Sequence, residues 1–293
     1  MSSYAERTFE SDDGLVLYAR DYPGPCLAAP AVLCLHGLMR TGRDFEDLAP
    51  RLQARHRVIV PDLRGRGRSA RDLNPQNYQP AVYVRDLLRI VAATTGAAKL
   101  AIVGTSLGGI LALAIAYAQP ALLAGIVLND IGPELDPAGV ARIKAYAGRA
   151  APVGNWADAV AQTQAVYGAA WPNLSAERWA LLARRGYRED PAGIPRADAD
   201  PAIGEVMRTA PAAPLDLWPL WRCLARLPIL AIRGALSDLL SAATFARMRA
   251  EKPDLEQLEV ANRGHVPLLD EPECVAAIDD FLARLFPPQG RRE

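Results

Sequence analysis

Residues 104–109, Gly104-Thr105-Ser106-Leu107-Gly108-Gly109, form the stretch that decides the fold. The largely apolar run of residues 99–103 precedes it, and the alanine- and leucine-rich residues 110–116 follow it. A short, branched apolar run is typical of a buried parallel strand, and alanine and leucine favour a helix. The pattern therefore predicts a strand, a sharp turn and a helix, with Ser106 at the turn.

The glycines around Ser106 give this turn two possible meanings. In a G-x-S-x-G turn the serine adopts a strained conformation that exposes its hydroxyl, and the glycines leave room beside it. The helix that follows would offer free N–H groups and a positive dipole end to a developing oxyanion. The same pattern also fits a tight strand-to-helix turn whose glycines only allow close packing. Partner residues elsewhere in the chain must decide between the two.

Strands and helices alternate along most of the chain. Residues 8–22 resemble a β-hairpin around Asp12-Asp13-Gly14, and the later strands are separated by helical segments, which favours a parallel sheet. The alternation stops between residues 134 and 220, where the sequence becomes helical, irregular and rich in tryptophan. We predict a core domain of residues 1–133 and 221–293 with a helical cap inserted at 134–220. The later predicted strands are residues 30–35, 57–60, 99–103, 125–128, 227–234 and 255–260.

Composition excludes several classes of function. The 293 residues carry 33 basic and 33 acidic side chains, and this balance gives no reason to expect nucleic acid or an anionic membrane as a partner. The four cysteines are far apart and form no C-x-x-C pair, which suggests neither a zinc site nor a compact disulfide framework. We expect no metal and no cofactor. The N-terminal residues lack a secretory pattern and no apolar run is long enough to span a membrane, which predicts a cytoplasmic protein. The sequence leaves the oligomeric state open, and a homo-oligomer is possible.

Chemically useful side chains follow several of the predicted strands. In an open parallel sheet, reactive groups gather at the carboxyl ends of the strands. Because six side chains occupy such positions, we expect them to lie at one edge of the sheet. They are His36, Asp62, Ser106, Asp130, Asp238 and His265.

A catalytic serine needs a histidine as base and a carboxylate that orients the imidazole. The order Ser106, Asp238, His265 is the order expected when a G-x-S-x-G turn lies in such a sheet. His56 precedes a strand and is expected on the surface at the opposite end of the sheet. His36 is followed by a glycine and is expected to shape a loop. His265 is therefore the predicted base.

The chain resembles the α/β-hydrolase family over nearly its whole length. This resemblance implies a mostly parallel eight-stranded sheet flanked by helices, with an inserted helical cap. It also implies a Ser106–His265–Asp238 triad and an oxyanion hole formed by the N–H groups of Leu38 and Leu107. Some relatives take the carboxylate from the position of Asp130, so Asp130 stays open as the alternative acid. The matching stretches are residues 35–38, 62–69, 104–109, 233–238 and 264–273.

The details of the resemblance narrow the expected activity. Serine at position 106 argues against haloalkane dehalogenases and epoxide hydrolases, which use aspartate there. The resemblance implies a serine hydrolase that acts on a small or medium, largely apolar ester or lactone. Two alternatives keep the same residues, namely a hydrolase of C–C bonds or enol-lactones, and a receptor-like binding protein with a slow triad.

Overall fold

The fold is given by a computed structural model, which describes residues 4–96, 98–209 and 216–287. Within these residues eight strands form one sheet in the order β1-β2-β4-β3-β5-β6-β9-β10. Strands β1 and β2 pair antiparallel with each other, and β2 pairs antiparallel with β4. The other neighbouring strands of the sheet are parallel. The mostly parallel eight-stranded sheet expected from the family resemblance is confirmed. The strands are β1 (Ala5–Glu10), β2 (Val16–Tyr22), β3 (Ala31–Leu35), β4 (Arg57–Asp62), β5 (Leu100–Thr105), β6 (Leu123–Asn129), β9 (Ile229–Gly234) and β10 (Glu256–Val260).

Helices cover both faces of this sheet, because the central strands are apolar on both sides. In β3, Leu33 and Leu35 pack into one buried cluster, while Val32 and Cys34 pack into the cluster on the other face. Each face of the sheet therefore has its own core. The helices of the core are α1 (Leu48–Leu52), α2 (Pro80–Thr95), α3 (Leu107–Ala118), α9 (Ala242–Glu251) and α10 (Pro272–Leu285).

Residues 134–220, which we call the insertion, lie between β6 and β9 and supply no strand to the eight-stranded sheet among the described residues. The sequence predicts a helical and irregular insertion without strands named in it, whereas β7 and β8 pair as a short antiparallel ribbon. The ribbon turns at Gly193, whose φ of 76° favours glycine. Its elements are α4 (Pro137–Tyr146), α5 (Trp156–Tyr167), α6 (Ala176–Gly186), β7 (Tyr187–Glu189), β8 (Pro195–Ala197), α7 (Ala202–Thr209) and the start of α8 (Trp218–Cys223).

The division into a core domain and a cap stays a prediction. Of the residues assigned to these two domains, 1–3, 97, 210–215 and 288–293 lie outside the described residues. In the ranges that the structure covers, no helix combines the length and the apolar character needed to cross a membrane.

Candidate active site

Ser106 lies in the turn between β5 and α3 with φ 51° and ψ −115°, a backbone conformation that L-residues rarely adopt. The neighbouring glycines make this turn possible. A Cβ on Gly108 would lie 2.1 Å from the carbonyl oxygen of Leu35, and one on Gly104 would lie 2.5 Å from the carbonyl oxygen of Gly108. The glycines are therefore a steric requirement of the sharp turn, and the turn exposes the Ser106 hydroxyl at the carboxyl end of β5.

His265 lies between Ser106 and Asp130. Its Nε2 is 2.8 Å from the Ser106 Oγ, and its Nδ1 is 2.8 Å from the Asp130 Oδ2. The His265 side chain is 5% exposed and that of Asp130 is fully buried. Because the carboxylate accepts the Nδ1–H, the lone pair of Nε2 faces the serine hydroxyl. These two hydrogen bonds have the geometry of a nucleophile, a base and an orienting acid.

The backbone and Ser237 fix the Asp130 carboxylate. Oδ1 accepts a hydrogen bond from the Gly234 N–H at 2.7 Å, and Oδ2 accepts one from the Ser237 hydroxyl at 2.5 Å. With His265, the buried carboxylate has three donors. A charge buried in this way needs such hydrogen bonds to offset its desolvation.

Among the described residues no hydrogen bond joins Asp238 to His265, whose Nδ1 pairs with Asp130 instead, so the predicted Asp238–His265 pair is wrong. Its carboxylate accepts hydrogen bonds from Arg142 of α4, at 2.5 Å from Nε and 2.8 Å from Nη2. The loop after β9 explains this, because Ser237 turns back to bind Asp130 and the next residue faces the insertion. The hydrogen bonds from Arg142 are the main reason why the pKa of Asp238 lies below its usual range. Of the two candidate acids, the structure places Asp130 against the histidine.

The other two histidines have different surroundings. His36 accepts the Leu63 N–H at Nε2 (3.0 Å), and its Nδ1 is 2.8 Å from the Gly37 carbonyl oxygen, so it fixes the loop after β3 as predicted. Complete burial lowers the pKa of His36 to about 4 and keeps the imidazole neutral. His56 precedes β4 as expected, but it is buried beside Phe286 at a ring distance of 5.8 Å, so its predicted surface position is wrong.

Leu38 and Leu107, the predicted oxyanion donors, flank Ser106. Leu107 is the first residue of α3, and Leu38 follows Gly37. A Cβ on Gly37 would lie 3.7 Å from the Ser106 Cβ, so the loop after β3 lies directly against the serine. Among the described residues neither N–H donates to a backbone acceptor. Their catalytic role stays a prediction.

A cavity of about 70 Å³ lies over Ser106 and His265, and side chains of the insertion form much of its wall. The rings of Tyr167 and Trp171 stack at 4.7 Å, and the Trp171 Nε1–H donates to the Val266 carbonyl oxygen at 2.6 Å. Trp171 therefore fixes the insertion to the loop that carries His265. The lining residues from the insertion are Ile143, Tyr146, Tyr167, Trp171, Leu182 and Arg185.

Three residues of the site are absent from the sequence-based predictions. Ser237 binds the carboxylate of Asp130, Arg142 binds Asp238, and Arg40 lines the cavity. Only Ser237 carries a local signal, since it adjoins the predicted acid. Across the part of the chain that the structure describes, no group of three or more His, Cys, Asp or Glu side chains could hold a metal ion.

Comparisons with known proteins agree with this architecture. The 3-hydroxybutyrate-oligomer hydrolase of Cupriavidus necator is 32% identical over 271 residues, which cover 87% of this chain and 89% of that enzyme. The 2-(acetamidomethylene)succinate hydrolase of Mesorhizobium japonicum is 27% identical over 87% of this chain and 88% of its own length. The crystal structure of an alpha/beta hydrolase from Novosphingobium aromaticivorans is 40% identical, with a TM-score of 0.91 over 97% of this chain and 99% of that one.

The model of the alpha/beta hydrolase family matches residues 32–278, a span that runs from β3 into α10 and contains Ser106, Asp130 and His265. The family match, the relative at 32% identity and the shared fold point the same way, and the chain therefore belongs to the alpha/beta hydrolase family.

Proposed function

We propose that the protein is a serine hydrolase that cleaves a carboxylic ester or lactone through an acyl-enzyme on Ser106. The observation that carries the proposal is the continuous hydrogen-bond chain from the Ser106 Oγ through His265 to Asp130, with both links at 2.8 Å. A serine hydroxyl is a poor nucleophile unless a base removes its proton, and this chain supplies the base and its orienting carboxylate.

The proposed reaction has two halves. As the Ser106 Oγ attacks the carbonyl carbon, its proton passes to the His265 Nε2, and the imidazolium is stabilised by Asp130. The N–H groups of Leu38 and Leu107 stabilise the oxyanion of the tetrahedral intermediate. His265 then gives the proton to the leaving alkoxide, and the alcohol departs. In the second half, His265 takes a proton from water as the water attacks the acyl-enzyme. When this second tetrahedral intermediate collapses, His265 returns the proton to the Ser106 Oγ and the acid is released.

The substrate is a small molecule. A cavity of about 70 Å³ lies over Ser106, and its mostly apolar and aromatic walls suit a short acyl or alcohol portion. The relative from Cupriavidus necator acts, by its name, on oligomers of 3-hydroxybutyrate, in which hydroxy acid units are joined by ester bonds. The name of this relative favours ester hydrolysis over cleavage of a C–C bond.

A fluorophosphonate probe tests the proposal, because it labels only a serine that is activated as a nucleophile. We expect labelling of the wild-type protein and none of Ser106→Ala, together with turnover of p-nitrophenyl acetate by the wild type alone. An unlabelled, folded wild-type protein would favour the receptor-like alternative. A screen of aryl esters, lactones and vinylogous 1,5-diketones separates ester hydrolysis from C–C bond cleavage, and turnover of the diketones alone would overturn the ester assignment.

A further inference from the structure

Arg40 extends from the same loop as the predicted oxyanion donor Leu38. Its backbone N–H donates to the Gly37 carbonyl oxygen at 3.3 Å. The Cγ of Arg40 and the Cβ of Ser106 each lie 3.7 Å from the position that a Cβ on Gly37 would take. The first part of the Arg40 side chain and the Ser106 side chain therefore both lie beside Gly37, close to each other.

The guanidinium of Arg40 is held in place on two sides. Asp44 accepts hydrogen bonds from Nε at 2.9 Å and from Nη2 at 2.6 Å, and the Arg40 Cζ lies 5.5 Å from the centre of the Tyr167 ring. The remaining nitrogen, Nη1, takes no part in the contacts with Asp44 and lies beside Gly186. Burial disfavours the charged form, but Asp44 outweighs it and raises the pKa of Arg40 above its usual range.

Arg40 also stands between two cavities. The cavity over Ser106 has a volume of about 70 Å³. A second cavity, lined mostly by residues of the insertion, has a volume of about 180 Å³. Both are lined by Met39, Arg40, Tyr146 and Tyr167. A substrate whose ester lies at Ser106 therefore passes Arg40 if its chain extends toward the larger cavity.

The two arginines that line the first cavity are ion-paired, but each keeps a nitrogen outside its hydrogen bonds with the acidic partner. Apart from His265, its charged lining residues among those described are Arg40, Asp44 and Arg185. Arg40 pairs with Asp44, and Arg185 pairs with Asp47 at 2.8 Å and with Glu46 at 3.9 Å, but the buried Nε of Arg185 makes no hydrogen bond. In a poorly hydrated, aromatic-lined space a donor without a hydrogen bond favours an acceptor, and a fixed guanidinium suits a carboxylate.

We infer that Arg40 binds a carboxylate of the substrate, so that the preferred substrates are short esters that carry a free acid group near the scissile bond. This inference rests on the proposed ester hydrolysis and adds the chemical class of the substrate. The names of two relatives are consistent with it, since the free acid forms of a 3-hydroxybutyrate oligomer and of a substituted succinate carry carboxylates.

The linear dimer of 3-hydroxybutyrate provides the test, compared with its terminal carboxamide, which has nearly the same shape but no charge. A charge-assisted hydrogen bond predicts that the wild-type kcat/KM is at least about tenfold higher for the acid. In Arg40→Met/Asp44→Asn, which removes both charges of the pair, the ratio should fall to about one. Arg43→Met is the matched control, because Arg43 pairs with Glu46 at 3.2 Å and lines neither cavity, and it should keep the wild-type ratio.

A wild-type ratio near one would overturn the inference, and so would an unchanged ratio in the double variant. If that variant does not fold, or if neither dimer is cleaved, the test is the inhibition of p-nitrophenyl acetate hydrolysis by the wild-type protein. The acid should then inhibit more strongly than the carboxamide, and equal inhibition constants would contradict the inference. Failure of the proposed function gives a different result, namely no fluorophosphonate labelling and no p-nitrophenyl acetate turnover.

Discussion

Two aspartates follow neighbouring strands of the sheet, and their surroundings differ sharply. Asp130, after β6, is fully buried and accepts hydrogen bonds from Gly234, Ser237 and His265. Asp238, after β9, is about one third exposed and pairs with Arg142 of the insertion. Both positions are open to a catalytic acid in the sequence, so the difference shows that the path of the loop decides which carboxylate reaches the histidine.

Replacing each aspartate by asparagine should separate them most widely. Asp130→Asn removes the carboxylate that fixes the tautomer of His265, and we expect kcat/KM to fall by about 10³–10⁴-fold. Asp238→Asn should change it by less than about tenfold, because that residue lies outside the hydrogen-bond chain. Hydrolysis of p-nitrophenyl acetate measures both, and equal losses in the two variants would contradict the assignment.

A second contrast is between the buried His36 and a histidine in the unfolded chain. It should appear as a change of folding stability with pH. The pKa of buried His36 is about 4 in the folded protein, against 6.5 for the free side chain. Between pH 6.5 and pH 4 the imidazole of His36 is protonated in the unfolded chain but not in the folded protein. The contribution of His36 to the free energy of unfolding is therefore fully present above about pH 6.5 and is lost as the pH falls toward 4. The full contribution is roughly 3 kcal/mol.

Urea unfolding at pH 7.5 and pH 5.0 measures this contribution. His36→Asn should unfold more easily at pH 7.5 and lose less stability than the wild type on acidification, since other groups still titrate in both proteins. An identical pH dependence in the two proteins would mean that His36 does not titrate as its burial implies.

A substitution of Ser237 tests whether catalysis needs the hydrogen bond from its hydroxyl to the Asp130 carboxylate. Ser237→Ala removes one hydrogen bond to a charged group, which is typically worth about 1.5 kcal/mol, and should lower kcat/KM by about tenfold. Ser241→Ala is a suitable control, because Ser241 caps α9 at 3.0 Å from the Thr244 N–H and has no contact with Asp130. It should reduce stability alone, and a similar loss of activity in both variants would indicate a general destabilisation.

The smallest expected effect belongs to the Asp238–Arg142 pair. The two side chains are 37% and 30% exposed, so solvent screens their attraction, and a double-mutant cycle should give a coupling of about 0.5–1 kcal/mol. The cycle compares the urea unfolding of Asp238→Asn, Arg142→Met and the double variant. A coupling of several kcal/mol would mean that the pair is as essential to the fold as the buried Asp130 network.

These comparisons also explain what the sequence could predict. The strands, the sharp turn at Ser106 and the positions of His36 and His265 follow from local pattern, because each depends on residues adjacent in the chain. The acid depends on Ser237 turning toward β6 and on Arg142 approaching from a distant segment. Although Ser237 adjoins Asp238 in the sequence, neighbouring residues do not reveal the direction in which this loop turns. For the same reason the sequence gives no sign of the β7–β8 ribbon or of the position of Arg40 between two cavities.

The central claim is that Asp130, and not Asp238, accepts the Nδ1–H of His265. Proton NMR tests it directly, because a hydrogen-bonded imidazole proton shared with a carboxylate resonates far downfield of the amide protons. We expect this signal to persist in Asp238→Asn and to disappear in Asp130→Asn, with both variants folded. Loss of the signal in Asp238→Asn and its persistence in Asp130→Asn would contradict the account.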